Sequence, residues 1–378
     1  MTHRTRLLGL ASLGLAASLL APATAAAASP AHSTSTSHWQ VIARGLDNPR
    51  GIDPGPFGSL LVAEAGRGGT TDCQPGIDPE SGQPTTFCLG QTGAVDLLLG
   101  RFKFRLATLG SIASPTGATA SGPTHAVLGP KGVLVSTMGV PPLPFAGSTA
   151  KFGKLLRLQD GANVVIADLG AYEAAHNPDG KQIESDPYGL AVNGHGAVMT
   201  DAAANDLLAI SRTGAISTLA VFPDQMADAP PFLGLPPGSK IPAESVPTSV
   251  TRGPDGAWYV GELTGFPFQV GLARIWRVVP GHAPTVWATG FTNIIDLQFD
   301  RHGRLYVLEM AKNGLLEGLA PGGNTDGALI RINRDKSRTE IASAGLSLPG
   351  GVAIDARGHI YVTINSTSAG TGKVVRIR

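Results

Sequence analysis

Residues 294–309 read IIDLQFDRHGRLYVLE. An apolar-alternating run is followed by Asp300-Arg301-His302-Gly303 and by a second run ending in Tyr306-Val307-Leu308-Glu309. Two short runs of period two joined by Asp-x-x-Gly are hairpin strands. Glycine accepts positive φ at the tight turn, and the aspartate carboxylate bonds the backbone of its own turn. Variants of this unit recur through the chain. Asn193-Gly194-His195-Gly196, Pro254-Asp255-Gly256 and Ala356-Arg357-Gly358 occupy the same place in their own copies.

Working outward, each copy continues into two further short runs. The first copy takes residues 49–52, 60–64, 93–98 and 104–109; the second 124–128, 133–138, 154–158 and 164–168. The third takes 188–192, 197–201, 206–211 and 216–221; the fourth 248–251, 258–262, 274–278 and 285–288. The fifth adds 328–332 and 339–342 to the opening stretch. The sixth stops after three runs, 351–355, 360–364 and 373–377. Units of four antiparallel strands at this spacing predict an all-β, six-bladed β-propeller. The strand missing from the sixth unit is matched by a spare one, 38–44, ahead of the first. Pairing the two closes the ring and protects edges that an open array leaves free. Residues 38–378 are thus expected to form one propeller domain.

Composition agrees. Glycine (50) and proline (29) are abundant, 42% of residues are hydrophobic, only 15% are charged, and the formal net charge is +1. This excludes a disordered chain and a nucleic-acid binder driven by phosphate neutralisation. His3, Arg4 and Arg6 precede an apolar stretch, 7–20, and the small-residue sites Ala23-Thr24-Ala25 and Ala25-Ala26-Ala27. That is the layout of a signal peptide, 1–28, with a retained membrane anchor as the rival reading. A Ser/Thr-rich linker, 29–37, follows. The reading is therefore a secreted protein without a stable membrane anchor, expected to be a monomer. Cys73 and Cys88 share one Gly/Pro-rich segment, 66–91. In an exported chain they read as a disulfide stapling a long loop, against free thiols or half a metal site.

The copies resemble NHL-type repeats, most clearly in Gly351-Val352-Ala353-Ile354-Asp355 and Ile360-Tyr361-Val362. Over residues 39–378 the chain resembles the ScyD/ScyE family of exported, propeller-like proteins. The residues carrying that likeness are Gly45-Leu46-Asp47-Asn48-Pro49-Arg50-Gly51, the LVAEAG run at 61–66 and the cysteine-containing insertion. The resemblance implies fold and export. It brings no settled reaction, although the family is named for an association with scytonemin biosynthesis.

In a propeller with these turns at one end, the long connections 65–92, 139–153, 170–187, 223–247 and 311–327 fall at the other. Long loops on a rigid scaffold are the usual place for binding. Second-strand ends at that face carry Glu64, Thr137, Asp201, Glu262, Glu309 and Asn365. First-strand starts add Arg50, His125, Tyr188, Ser249, Asn293 and Asp296. Ligand contacts are expected from Arg50, Glu64, Tyr188, Asp201, Glu262, Asn293, Asp296 and Glu309. Glu64, Asp201, Glu262 and Glu309 are equivalent positions, and a ring of carboxylates suits Ca²⁺, which takes many oxygen ligands. In this the ring resembles the calcium-dependent lactonase and arylesterase propellers. The plainer reading is that each acid pairs with a base or caps a loop amide.

Nucleophile-elbow, His-Glu-x-x-His and phosphate-loop signatures are absent. His195, His302 and His359 read as turn residues, Arg101, Lys103 and Arg105 as a solvated edge. His125 is the candidate general base. Two functions stay open. One is a non-catalytic propeller binding a small molecule, glycan or protein on its loop-rich face. The other is a Ca²⁺-dependent lactonase- or esterase-like hydrolase with the metal in the central channel.

Overall fold

The computed structural model describes residues 39–77, 83–140, 143–146, 149, 151–159, 161–333 and 335–378. The expected signal peptide and linker lie outside the described residues. Six antiparallel sheets, each built outward in chain order, form the blades. Blade one comprises Pro49–Pro54, Leu60–Glu64, Pro84–Leu99 and Phe102–Ala113. Blade two comprises Pro123–Gly129, Gly132–Thr137, Lys154–Gln159 and Ala162–Asp168. Blade three is Pro187–Asn193, Gly196–Asp201, Asp206–Ser211 and Ile216–Val221; blade four is Pro247–Arg252, Trp258–Glu262, Ala273–Val278 and Thr285–Phe291. Blade five is Ile294–Phe299, Leu305–Glu309, Ala328–Ile332 and Arg338–Ala342. Blade six has Gly351–Ile354, Ile360–Ile364 and Gly372–Ile377, with Trp39–Leu46 as its outer strand.

That last pairing is the expected one: Trp39 faces Ile377, Gln40 faces Arg376 and Val41 faces Val375. Its packing joins the two chain ends, since Leu46, Ile52, Val62, Ala353 and Val374 share one buried cluster. Inner strands are tied to neighbouring blades by hydrogen bonds. Thr124 Oγ1 donates to Tyr188 O (3.0 Å), Thr248 Oγ1 to Ile294 O (2.7 Å) and Thr363 Oγ1 to Arg50 O (2.7 Å).

The turns are built as their sequences require. Asp300 Oδ1 accepts from the His302 and Arg304 amides, and Asp355 Oδ1 from those of Arg357 and His359. Gly303 and Gly358 take φ of +72° and +85°, where a Cβ is strained.

The loops hold more structure than the sequence suggests. The cysteine segment is a β-hairpin: Thr71–Ile77 pairs with the start of Pro84–Leu99, and the Cys73–Cys88 disulfide joins residues opposite one another across it. Between blades two and three lies a helix, α1, Leu169–His176, with Asp168 Oδ1 accepting from Ala171 N at its N-terminus. Between blades three and four lies a second hairpin, Gln225–Asp228 with Lys240–Ala243. No helix among the described residues is long and apolar enough to cross a membrane.

Candidate functional site

The four repeat-equivalent acids do not come together. Each is held within its own blade, at the connection leading into the first strand. Glu64 Oε2 accepts from Asp47 N (2.6 Å), Asp201 Oδ1 from Asp186 N (2.6 Å) and Glu309 Oε1 from Thr292 N (2.7 Å). Glu262 Oε1 accepts instead from Ser245 Oγ (2.7 Å). The role is architectural: a buried carboxylate satisfies a donor that the turn into the blade leaves over.

Basic partners come from outer strands rather than from strand ends. Lys103 Nζ and Arg105 Nη2 lie 3.6 and 3.5 Å from Glu64, and both also pair with buried Asp96. The edge strand read as merely solvated therefore neutralises blade one. In blade four, Arg274 forks onto Glu262, with Nη2 2.7 Å from Oε1 and Nε 2.8 Å from Oε2. Trp276 Nε1 adds a 2.6 Å bond to Oε1. Burial pushes Glu64 up to about 8, Glu309 to about 7 and Asp201 to about 6. Each acid of the expected calcium ring thus has its partners within its own blade. Among the described residues no group of three or more His, Cys, Asp or Glu is arranged to hold a metal ion.

The other expected residues divide. Asn293 is a bracket between loops: its Nδ2 donates to Leu263 O and its Oδ1 accepts from Leu315 N. Arg50 and Tyr188 are buried next to each other, and Arg50 Nη2 donates to Ala120 O at 3.2 Å. His125 and Asp296 alone among them line a recess in the central channel.

That recess has a volume of about 280 Å³ and is walled by the later residues of the inner strands. It reaches Pro54, Leu128, Val192, Arg252 and Phe299 at the strand ends. It therefore lies toward the tight turns, not at the long-loop face where the sequence led us to expect ligand. Its polar groups are His125, Asp53, Asp296, Thr251, Arg252 and Gln298; Leu190, Val250 and Val352 supply apolar wall.

His125 is the third residue of the inner strand of blade two. Asp296 holds the equivalent place in blade five, directly across a six-membered ring. The other blades put Gly51, Gly189, Ser249 and Gly351 there. Gly51 is required: a Cβ on it would collide with the His125 ring and with Thr124 O. His125 Nε2 lies 3.4 Å from Asp53 Oδ2. Burial works against charge on His125, yet Asp53 and Asp296 outweigh it, so its pKa stands above the ordinary histidine value. Burial lifts Asp296 to about 6, although it accepts from the Leu297 and Val352 amides, both at 2.8 Å.

Asp53, Arg252 and Gln298 were missed as site residues. Asp53 and Arg252 lie at or next to the ends of their inner strands, and Gln298 lies one residue before the end of its own. Consecutive inner-strand residues line the recess, so strand alternation alone does not single them out.

No family model and no curated protein matches the chain. Among solved structures, virginiamycin B lyase from Staphylococcus aureus is similar over 89% of this chain and 98% of its own, at 15% identity and a TM-score of 0.47. A putative gluconolactonase covers 90% and 91%, at 9% identity and 0.47. Regucalcin, a calcium-binding protein from Agrobacterium tumefaciens str. C58, covers 90% and 92%, at 12% identity and 0.47. At these identities and scores no residue role passes from them to this chain.

Proposed function

We propose that this is an exported propeller that binds a small polyhydroxylated molecule of sugar or sugar-lactone size in its central recess. One observation carries the reading: inner strands of separate blades converge His125, Asp53 and Asp296 on one space of about 280 Å³. Ligand sites are concave and furnished with a few convergent polar groups, and this volume lies just under their usual range. The charges nearly cancel, with Asp53 and Asp296 facing His125 and Arg252. That balance suits a neutral ligand with many hydroxyls. Export, and kinship with the ScyD/ScyE family, belong to this proposal.

The test is calorimetric titration of the purified protein with neutral monosaccharides and aldonolactones. The wild type should bind one of them, and His125→Gln and Asp296→Asn should each weaken it at least ~10-fold, the loss of one well-placed polar contact. Binding that persists unchanged in both variants would put the ligand elsewhere, the long-loop face being the next place to look.

A hydrolase reading is favoured by one feature, the His125–Asp53 pair. A carboxylate beside a buried imidazole is the usual arrangement for a general base working near neutral pH. Release of acid from an aldonolactone, abolished in His125→Gln, would establish it. Failure to turn over a lactone that the recess binds would leave a binding protein.

A further inference from the structure

The strand-end acids face different residues on the third strand, Ala94 in blade one and Ala328 in blade five. In blade four, the strand-end acid Glu262 is met from the third strand by Arg274, one step beyond the paired Gly261 and Ile275. In blade three, the residue paired with the strand-end acid Asp201 is Asp206, a second acid. Asp206 is 1% exposed and neither carboxylate oxygen has a hydrogen-bond partner. The charges that act on it are those of Asp201, Glu173 and Asp179, all negative.

Other acceptors collect beside it. Glu173, on α1, is 2% exposed and its Oε1 is unpartnered. Asn177, one turn further on, caps that helix in the left-handed conformation, and its buried Oδ1 is unpartnered too. Asp179 is held next to this group by Asn205 Nδ2 (3.1 Å) and by the Lys181 amide (2.9 Å). Asp201 spends both its oxygens on Ser185, Asp186 and Ala204. The nearest lysine, Lys181, is turned to Asp224 and Glu244. Four buried oxygens, two from Asp206 and one each from Glu173 and Asn177, thus have no donor.

A buried acceptor without a donor costs about 1–3 kcal/mol, more if charged, so a cluster of them calls for a positive partner. Two carboxylates, an amide oxygen and remaining places for carbonyls or water are a calcium-type ligand set. We propose that blade three binds a divalent cation of the calcium type between Asp206, Glu173 and Asn177, where blade four uses the guanidinium of Arg274. The ion would tie α1 and the connection 177–186 to the blade, and it stands apart from the central recess.

The test uses the purified protein stripped with a chelator and titrated with Ca²⁺, then Mg²⁺, by calorimetry and by thermal melting. The wild type should take up one Ca²⁺ per chain and melt at a higher temperature with it. Asp206→Asn and Glu173→Gln should each weaken Ca²⁺ at least ~10-fold, as the loss of a charged ligand does, while Asp296→Asn in the recess should bind as the wild type does. If Asp206→Asn does not fold, Glu173→Gln carries the comparison. Absence of Ca²⁺ heat and of any melting shift in the wild type would overturn the proposal and leave a protonated acid pair. So would unchanged affinity in Glu173→Gln, or a loss confined to Asp296→Asn, which would move the ion to the channel.

Discussion

Glu262 and Glu309 sit at one position of the repeat, and the structure predicts opposite consequences for replacing them with glutamine. Glu262 is fully buried and paired with Arg274. Its Oε1 accepts from Ser245, Arg274 and Trp276, and its Oε2 from the amide and Nε of Arg274. A glutamine can keep the Oε1 contacts, but it then points an NH₂ at the two donors Oε2 had accepted. It also leaves the Arg274 guanidinium, itself 9% exposed and stacked on Trp276, without its counter-ion. Breaking a buried pair from one side costs about 3–5 kcal/mol. For a ring of this size that is a fall of about 4–7 °C in melting temperature. Glu309 differs, because no guanidinium forks onto it and burial holds its pKa at about 7. Its folded value lies above its unfolded one, so its contribution is complete below about pH 4.5 and is lost as pH rises through 7. Glu309→Gln keeps the acceptor for Thr292 N and removes that loss. The variant should match the wild type below pH 4.5 and exceed it at pH 8. Melting curves of both variants from pH 4 to 9 decide the matter. Equal losses at pH 8 would refute the claim that partners, not repeat position, set the value of these acids.

Three further outcomes are expected. Removing residues 39–46 takes away one whole ladder of blade six and the buried Leu46, at a cost of several kcal/mol; soluble protein with an unchanged melt would show that the ring does not depend on closure. Cys73→Ser with Cys88→Ser should loosen only the hairpin 71–77, by up to ~3 kcal/mol for a loop of this length, seen as faster amide exchange there; a change throughout the ring would contradict a local role. Gly51→Ala forces a methyl into the His125 ring and should cost ~1–3 kcal/mol as an overpacked site, with loss of recess binding; an unchanged melt and affinity would show that His125 can step aside.

The architecture was legible because its causes are local. Alternation along the strands, Asp or Asn followed by Gly at most of the turns, and a spare strand matching a missing one are all written in neighbouring residues. The pairing of Trp39 with Ile377 needed only that count. The site was less legible because its cause is rotational. Glu64 and Asp296 both lie near the wide-loop end of their strands in sequence. Glu64 ends a second strand and Asp296 lies on an inner strand, so one is held inside its blade and the other reaches the recess. The partners that fix Glu64, namely Lys103, Arg105 and Asp47, come from different strands and from a loop, and nothing in the spacing joins them. The helix α1 was hidden because its eight residues, lodged between Gly/Pro-rich flanks, are too few for a clear helical period.

The repeat also indicates where function has room to arise. Positions that hold blade to blade must repeat, since each copy packs on its neighbours through the same surface. The third inner-strand position need not. It carries Gly51, His125, Gly189, Ser249, Asp296 and Gly351, and of these His125 and Asp296 line the recess. With glycine at half of these places there is space, and with His125 and Asp296 opposed there is a charge pair whose protonation is set by the channel itself. Blade three shows the same logic away from the axis, where Asp206 stands at the place of Arg274 in blade four and of Ala94 and Ala328 in blades one and five, and its neighbours offer oxygens rather than donors. In blade three that departure leaves buried oxygens without donors, whereas in the channel Asp296 and His125 keep partners in the fold and still line an open space.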